Sequence, residues 1–261
     1  MHYTAMSSAD YLGHSISKTN PILIIDLDNT LLSINSFHVW AAYFLFGKFE
    51  KLNFKKRGIL LLKAAKIFAE RKIFRRSHEQ TKSNLHKLWL KTDDNSALEN
   101  ILAALKQKIR PNIWDVLELI AQNKFDGALA TAASSLYAEP FAKHIGFLHI
   151  ISTNLNEKEN RGEEKSRRIL ELISAQKWED REKIFFTDHL EDMPFILKSD
   201  KLMWFGKAEE IGIIEKSAPE LNIIVCNNLT SGEILEAINN DKQTDVFGRI
   251  QKEAQTAAER E

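Results

Sequence analysis

Cysteine is nearly missing from this sequence. Cys226 is the only one in 261 residues, which excludes an intrachain disulfide and a thiolate zinc site. Long apolar runs are missing too. The most apolar stretch, Phe37 to Phe46, is broken by His38 and is too short to span a bilayer. Met1 to Asn20 is polar and holds no apolar signal core, so secretion is not indicated and a cytoplasmic protein is expected. Internal repeats and low-complexity tracts are absent. Net charge is +0, but only as a sum: Lys48 to Lys91 holds 14 Lys and Arg against the three acids Glu50, Glu70 and Glu79. One segment therefore carries a concentrated positive field. The rest is ordinary, with 44% hydrophobic and 28% charged residues. Such a chain can bury a sizeable core, and its length suits one large domain or a core domain with an insert.

What stands out against these absences is Ile22-Leu23-Ile24-Ile25-Asp26-Leu27-Asp28-Asn29-Thr30-Leu31-Leu32. Four apolar residues after Pro21 predict a strand buried on both faces, as in a parallel sheet. The strand runs into Asp26 and Asp28, and crowded carboxylates are costly unless a cation or a proton lies between them. The plain alternative is a strand ending in an acidic turn. From Ser36 to about Arg110 no strand is predicted. Helical periodicity places helices near Ser36–Phe46, Asn53–Ile73, Ser77–Trp89 and Asn95–Ile109, and Ser77 with Gln80 resembles a capping box. After Pro111 a helix from Asn112 to Gln122 follows. Strands at Gly127–Ala130, Leu148–Ile151, Lys183–Phe186, Leu202–Phe205 and Ile223–Cys226 then alternate with helices around Ser135–His144, Lys165–Ala175 and Met193–Lys198. This alternation predicts an α/β fold, a doubly wound parallel sheet with an all-helical insert after the first strand. Asp241 to Glu261 reads as a helical tail.

Three later strand ends carry polar groups. At Ala130-Thr131-Ala132-Ala133-Ser134-Ser135, a hydroxyl and small residues allow backbone N–H groups to approach an anion at a helix N-terminus, although helix capping explains them equally well. In Arg161-Gly162-Glu163-Glu164-Lys165-Ser166, a lysine near a helix start opposes the helix dipole, a cost that an anionic site would offset. The last is Phe186-Thr187-Asp188-His189-Leu190-Glu191-Asp192, where one helical turn would face Asp188 and Asp192 the same way. Hard oxygen donors of this kind suit Mg²⁺.

Taken in order, the four segments resemble the haloacid-dehalogenase-like hydrolase superfamily, in its phosphoserine-phosphatase-like branch. Asp26-Leu27-Asp28-Asn29-Thr30 matches the first motif, Thr131 the second, Lys165 the third, and Asp188 with Asp192 the fourth. Glu191 stands where the branch often has Asn. The resemblance implies a catalytic core of residues 1–32 and 111–240, a helical cap of residues 33–110 and a tail of residues 241–261. It also implies a Mg²⁺-dependent phosphatase working through an aspartyl-phosphate. Asp26 would be the nucleophile and Asp28 the proton donor and base. Thr131, Ala132 and Lys165 would hold the phosphate, and Asp26, Asp28, Asp188 and Asp192 would hold the metal. A carboxylic acid at position 28 favours a leaving alkoxide, which needs a proton, over a halide. The substrate would be a phosphorylated small molecule or a lipid head group, chosen by the cap. The basic, aromatic-rich cap could meet an anionic membrane, or it could be a solvated basic face. Other readings are a phosphate- or surface-binding protein without catalysis, a receiver-type domain, and nucleic-acid binding, for which charge is the sole warrant because no groove-reading motif is present.

Overall fold

The computed structural model describes residues 20–47, 53–74, 78–92 and 96–240. The polar segment before Asn20, the Ser77 cap and the tail from Asp241 lie outside the described residues. Six strands form one parallel sheet: β1 (Ile22–Ile25), β2 (Asp126–Ser134), β3 (His149–Thr153), β4 (Lys183–Thr187), β5 (Lys201–Trp204) and β6 (Asn222–Val225). Their order is β3-β2-β1-β4-β5-β6, so the chain winds outward from β1 in one direction and then crosses to build the other half. The C-terminal end of β1 is thus the point where open α/β sheets place their ligands.

Both faces of the sheet are covered, which explains the unbroken apolar run of β1. Leu23 and Ile25 pack toward α5 (Trp114–Ala121), α6 (Ser135–His144) and α10 (Ser231–Asn239). Ile22 and Ile24 pack toward α7 (Gly162–Gln176), α8 (Met193–Ile196) and α9 (Ile211–Ser217). All four β1 side chains are completely buried.

Most expected elements appear within a few residues of their predicted bounds, with two differences that bear on the site. β2 does not stop at Ala130 but continues to Ser134, and its register with β3 slips between Ala130 and Ser134. Small side chains give no local signal for such a bulge, which pairing with β3 decides. The helix expected from Lys165 to Ala175 begins at Gly162, so Lys165 lies at the end of its first turn. Gly162 opens that helix at φ +54°, a conformation that favours glycine.

The insert leaves the sheet through a narrow neck. Leu32 and Ile109 form an antiparallel bridge, flanked by Ser33 N–H to Lys108 O and Arg110 N–H to Leu31 O, both at 2.9 Å. Between them lie α1 (Ser36–Phe46), α2 (Phe54–Phe74), α3 (His78–Leu90) and α4 (Ser96–Lys106). Trp40 is fully buried at their centre, stacked on Phe44 at 5.2 Å and met edge-on by His86 at 4.5 Å. Tyr137 of α6 joins this cluster from the sheet side, 6.2 Å from Trp40.

Burial, with Lys82 nearby, pushes the His86 imidazole down from 6.5 to about 4. Between those values the unfolded chain binds a proton that the folded chain refuses. Stability should therefore fall as pH drops from 6.5 to about 4, by up to about 3 kcal/mol. Thermal midpoints measured across this range should fall less steeply for His86→Leu than for the wild type. Parallel curves would show that His86 titrates freely.

Candidate active site

The site forms where three segments converge beyond the sheet. Asp26 follows β1 directly and is almost fully buried. Beyond it the chain makes a wide turn, closed by Leu31 N–H to Asp26 O and Leu32 N–H to Leu27 O at 3.2 and 2.9 Å. Asn29 takes the left-handed conformation, φ 56°, that this turn needs and that Asn tolerates better than most residues. α7 contributes Lys165, and the turn after β4 contributes Asp188 and Asp192.

Lys165 is the hub. Its Nζ donates to Asp26 Oδ1 at 2.9 Å and to Asp192 Oδ2 at 2.7 Å, with the ammonium almost wholly buried. Asp192 Oδ2 also accepts from Thr187 Oγ1 at 2.6 Å. Burial works against the lysine's charge, but Asp192 and Asp26 outweigh it and hold the ammonium above its ordinary range. Asp26 pulls the other way. Burial outweighs the Lys165 charge beside it and, with Asp192 and Asp28 near, pushes the carboxyl up to about 7.

The remaining acids are held separately. Asp28 Oδ1 accepts from the Ser36 N–H at 2.7 Å, at the first turn of α1, while burial raises its pKa. Asp188 Oδ1 accepts from Thr30 Oγ1 at 3.3 Å and is likewise raised by burial. Asp188 also borders an open cleft whose lining includes His189, Phe205, Lys207 and Asn227. Among the described residues no three His, Cys, Asp or Glu side chains are gathered closely enough to hold a metal on their own. The four expected acids therefore do not form one cage, because Asp28 is turned to α1 and Asp192 to Lys165. Asp26 and Asp188 remain, a donor set of two carboxylates. That fits Mg²⁺, which usually takes one or two carboxylates and fills its shell with water and substrate oxygens.

Thr131 is buried in the bulge of β2, where its Oγ1 accepts from Ala133 N–H at 3.0 Å. It does not stand at a helix N-terminus. α6 starts at Ser135, capped by Ser134. Asn160 fixes the bulge by donating to the carbonyls of Thr131 and Ile151 at 2.9 and 3.2 Å. Glu191 is exposed and paired with Arg161.

Sequence reasoning assigned no site role to Thr187, Asn160, Lys82 or Glu159. Thr187 precedes Asp188, and a hydroxyl beside a strand-end acid was the available signal. Lys82 had none, being one base among many in a charged helix, yet it pairs with Glu159 across the insert–sheet junction at 2.9 Å. Of the polar residues that follow the first motif, Ser36 is buried with its hydroxyl donating to Tyr137 at 3.4 Å, Asn35 caps α1, and Ser33 and His38 are exposed.

A family model described as haloacid dehalogenase-like hydrolase matches residues 23–196. No curated protein matches the sequence. Among solved structures, a protein with unknown function from Bordetella pertussis Tohama I is similar at 16% identity and TM-score 0.58, over 80% of this chain and 99% of that one. A HAD family hydrolase from Salmonella enterica serovar Typhi matches at 11% identity and TM-score 0.54, over 85% and 73%. A probable phosphoserine phosphatase from Vibrio cholerae matches at 10% identity and TM-score 0.54, over 84% and 66%. At these identities the likeness is one of fold.

Replacing Lys165 by Ala would leave Asp26 and Asp192 buried beside each other without a cation. The expected loss of stability in urea unfolding at neutral pH is about 3–5 kcal/mol. A midpoint equal to that of the wild type would show that the buried triad does not form.

Proposed function

The chain belongs to the haloacid dehalogenase-like hydrolase family, and on that premise we propose that it hydrolyses a phosphate monoester through an aspartyl-phosphate on Asp26. The reading is supported above all by the meeting of Asp26, Lys165 and Asp192 at the sheet's switch point, with a second acid, Asp28, held two residues beyond the nucleophile.

The steps follow from the chain's own groups. Lys165 occupies Oδ1 of Asp26, leaving Oδ2 to attack phosphorus. As the phosphorus–ester oxygen bond breaks, Asp28 gives its proton to the leaving alkoxide. The raised pKa of Asp28 suits an acid that must still carry that proton. Asp28 then takes a proton from water as the water attacks the acyl phosphate, which releases inorganic phosphate and restores the Asp26 carboxylate. Lys165 and the Thr131 hydroxyl hold the phosphoryl oxygens while charge shifts among them. Asp26 and Asp188, with the Asp28 backbone carbonyl, would hold Mg²⁺. Bound there, the ion neutralises the meeting of carboxylate and phosphate and orients the phosphoryl group.

Substrate choice falls to the insert. Ser36 N–H, at the start of α1, sets the position of the Asp28 carboxylate, so the insert's seating and the proton donor are linked. Lys82 brings a cation from α3 over the face of Phe37, 5.7 Å from the ring centre, and its charge reaches Asp28. The substrate class that goes with this reaction is a phosphorylated small molecule or lipid head group.

A panel of phosphate monoesters assayed with Mg²⁺ should yield turnover that chelator abolishes and added Mg²⁺ restores. Asp26→Asn should reduce turnover to background, and Asp28→Asn should lower kcat by roughly 10²–10⁴-fold. Turnover that survives Asp26→Asn would reject the nucleophile assigned here.

A further inference from the structure

The insert's second helix has a face that nothing in the proposed reaction uses. α2 is 21 residues long, about 31 Å at 1.5 Å per residue. Among its described side chains, Leu60, Ala64 and Ile67 form a narrow strip that turns inward against the insert core that includes Leu85 and Leu88 of α3. Next to that strip, at 3.6 residues per turn, Phe54, Leu61, Leu62, Ala65, Phe68 and Ala69 fall on one arc that holds no charged residue from Phe54 to Ala69, and Lys72 follows on the same arc toward the C-terminal end of the helix. The arc is open to solvent: Phe54 is 92% and Leu62 73% exposed, and Phe46, at the end of α1, is 80% exposed. Its far edge is a row of exposed bases, Lys55, Lys56, Lys63 and Lys66, with Ile59 among them. Lys66 shares its charge with Glu70 at 3.9 Å.

Leaving this much aromatic and aliphatic surface in water is unfavourable, and a solvated charged face would not need it. Nucleic acid would use the bases but not the apolar arc. A second copy docked arc to arc would bring two rows of lysines together, and like charges would oppose the contact. A bilayer with anionic head groups satisfies both features at once. The arc enters the boundary between acyl chains and head groups, and the lysine row beside it lies at head-group level. We propose that α2, with Phe46, docks the protein in the plane of an anionic membrane surface. The proposal does not depend on the hydrolytic reading.

The full-length protein is sedimented with vesicles of phosphatidylcholine, with and without a phosphatidylglycerol fraction. The expected result is pelleting with the anionic vesicles at least about tenfold stronger than with the neutral ones, reversed by high salt. Phe54→Glu combined with Leu62→Glu should abolish pelleting, and Lys55→Glu combined with Lys63→Glu should weaken it strongly. Turnover of a soluble phosphate ester should be unchanged in both variants. Because all four side chains are exposed, far-UV circular dichroism should match the wild type, and should one variant misfold the other still decides. Three outcomes would overturn the proposal: wild-type protein that stays in the supernatant with both vesicle types, variants that pellet like the wild type, or a wild-type dimer in sedimentation velocity that Leu62→Glu dissociates without any vesicle binding.

Discussion

A lysine ammonium buried between two carboxylates sets the terms for the rest of this structure. Lys165 reaches Asp26 and Asp192 at 2.9 and 2.7 Å, and almost no water reaches any of the three. Taking such charges out of water costs several kcal/mol for each ion, and close mutual contact offsets it only when the geometry is good. The groups come from the end of β1, the first turn of α7 and the turn after β4. They meet only because β1 lies next to β4 in a sheet whose chain crosses over after β3. The strand order and the ion triad therefore depend on each other.

The triad does not balance the site. With Asp28 and Asp188 included, four carboxylates share one buried ammonium, and the pKa values of Asp26, Asp28 and Asp188 are raised because burial outweighs the positive charge at hand. Glu191 does not deepen the deficit, because Arg161 holds its carboxylate at the surface. Thr187 and Thr30 satisfy single oxygens of Asp192 and Asp188 and keep each acid in its own orientation.

The helical insert reaches this centre in two places. Its neck and the start of α1 place the Ser36 N–H on Asp28, and α3 places Lys82 on Glu159 in the loop between β3 and α7. Movement of the insert would disturb a proton carrier and an ion pair together. The outer face of α2, by contrast, contributes nothing to that centre, and its exposed apolar arc with a lysine edge is a separate surface of the same insert.

Much of this was legible from the residues. The apolar run from Ile22 to Ile25, which predicted a strand covered on both faces, is one, and acids stand at the ends of β1 and β4. α1 and α6 occupy their expected spans because periodicity and capping are local signals. The bulge that carries Thr131 was not legible, since alanines and serines specify no register until β3 pairs with them. Nor was the pairing of Lys82 with Glu159, 77 residues apart, because nothing local separates that lysine from its basic neighbours. The sequence by itself determined which segments become strands and which acids end them, because burial and periodicity act over a few residues. Only the tertiary structure decided which acid shares the ammonium, which faces α1 and which accepts from Thr30, because those outcomes depend on distances and desolvation between segments far apart in the chain.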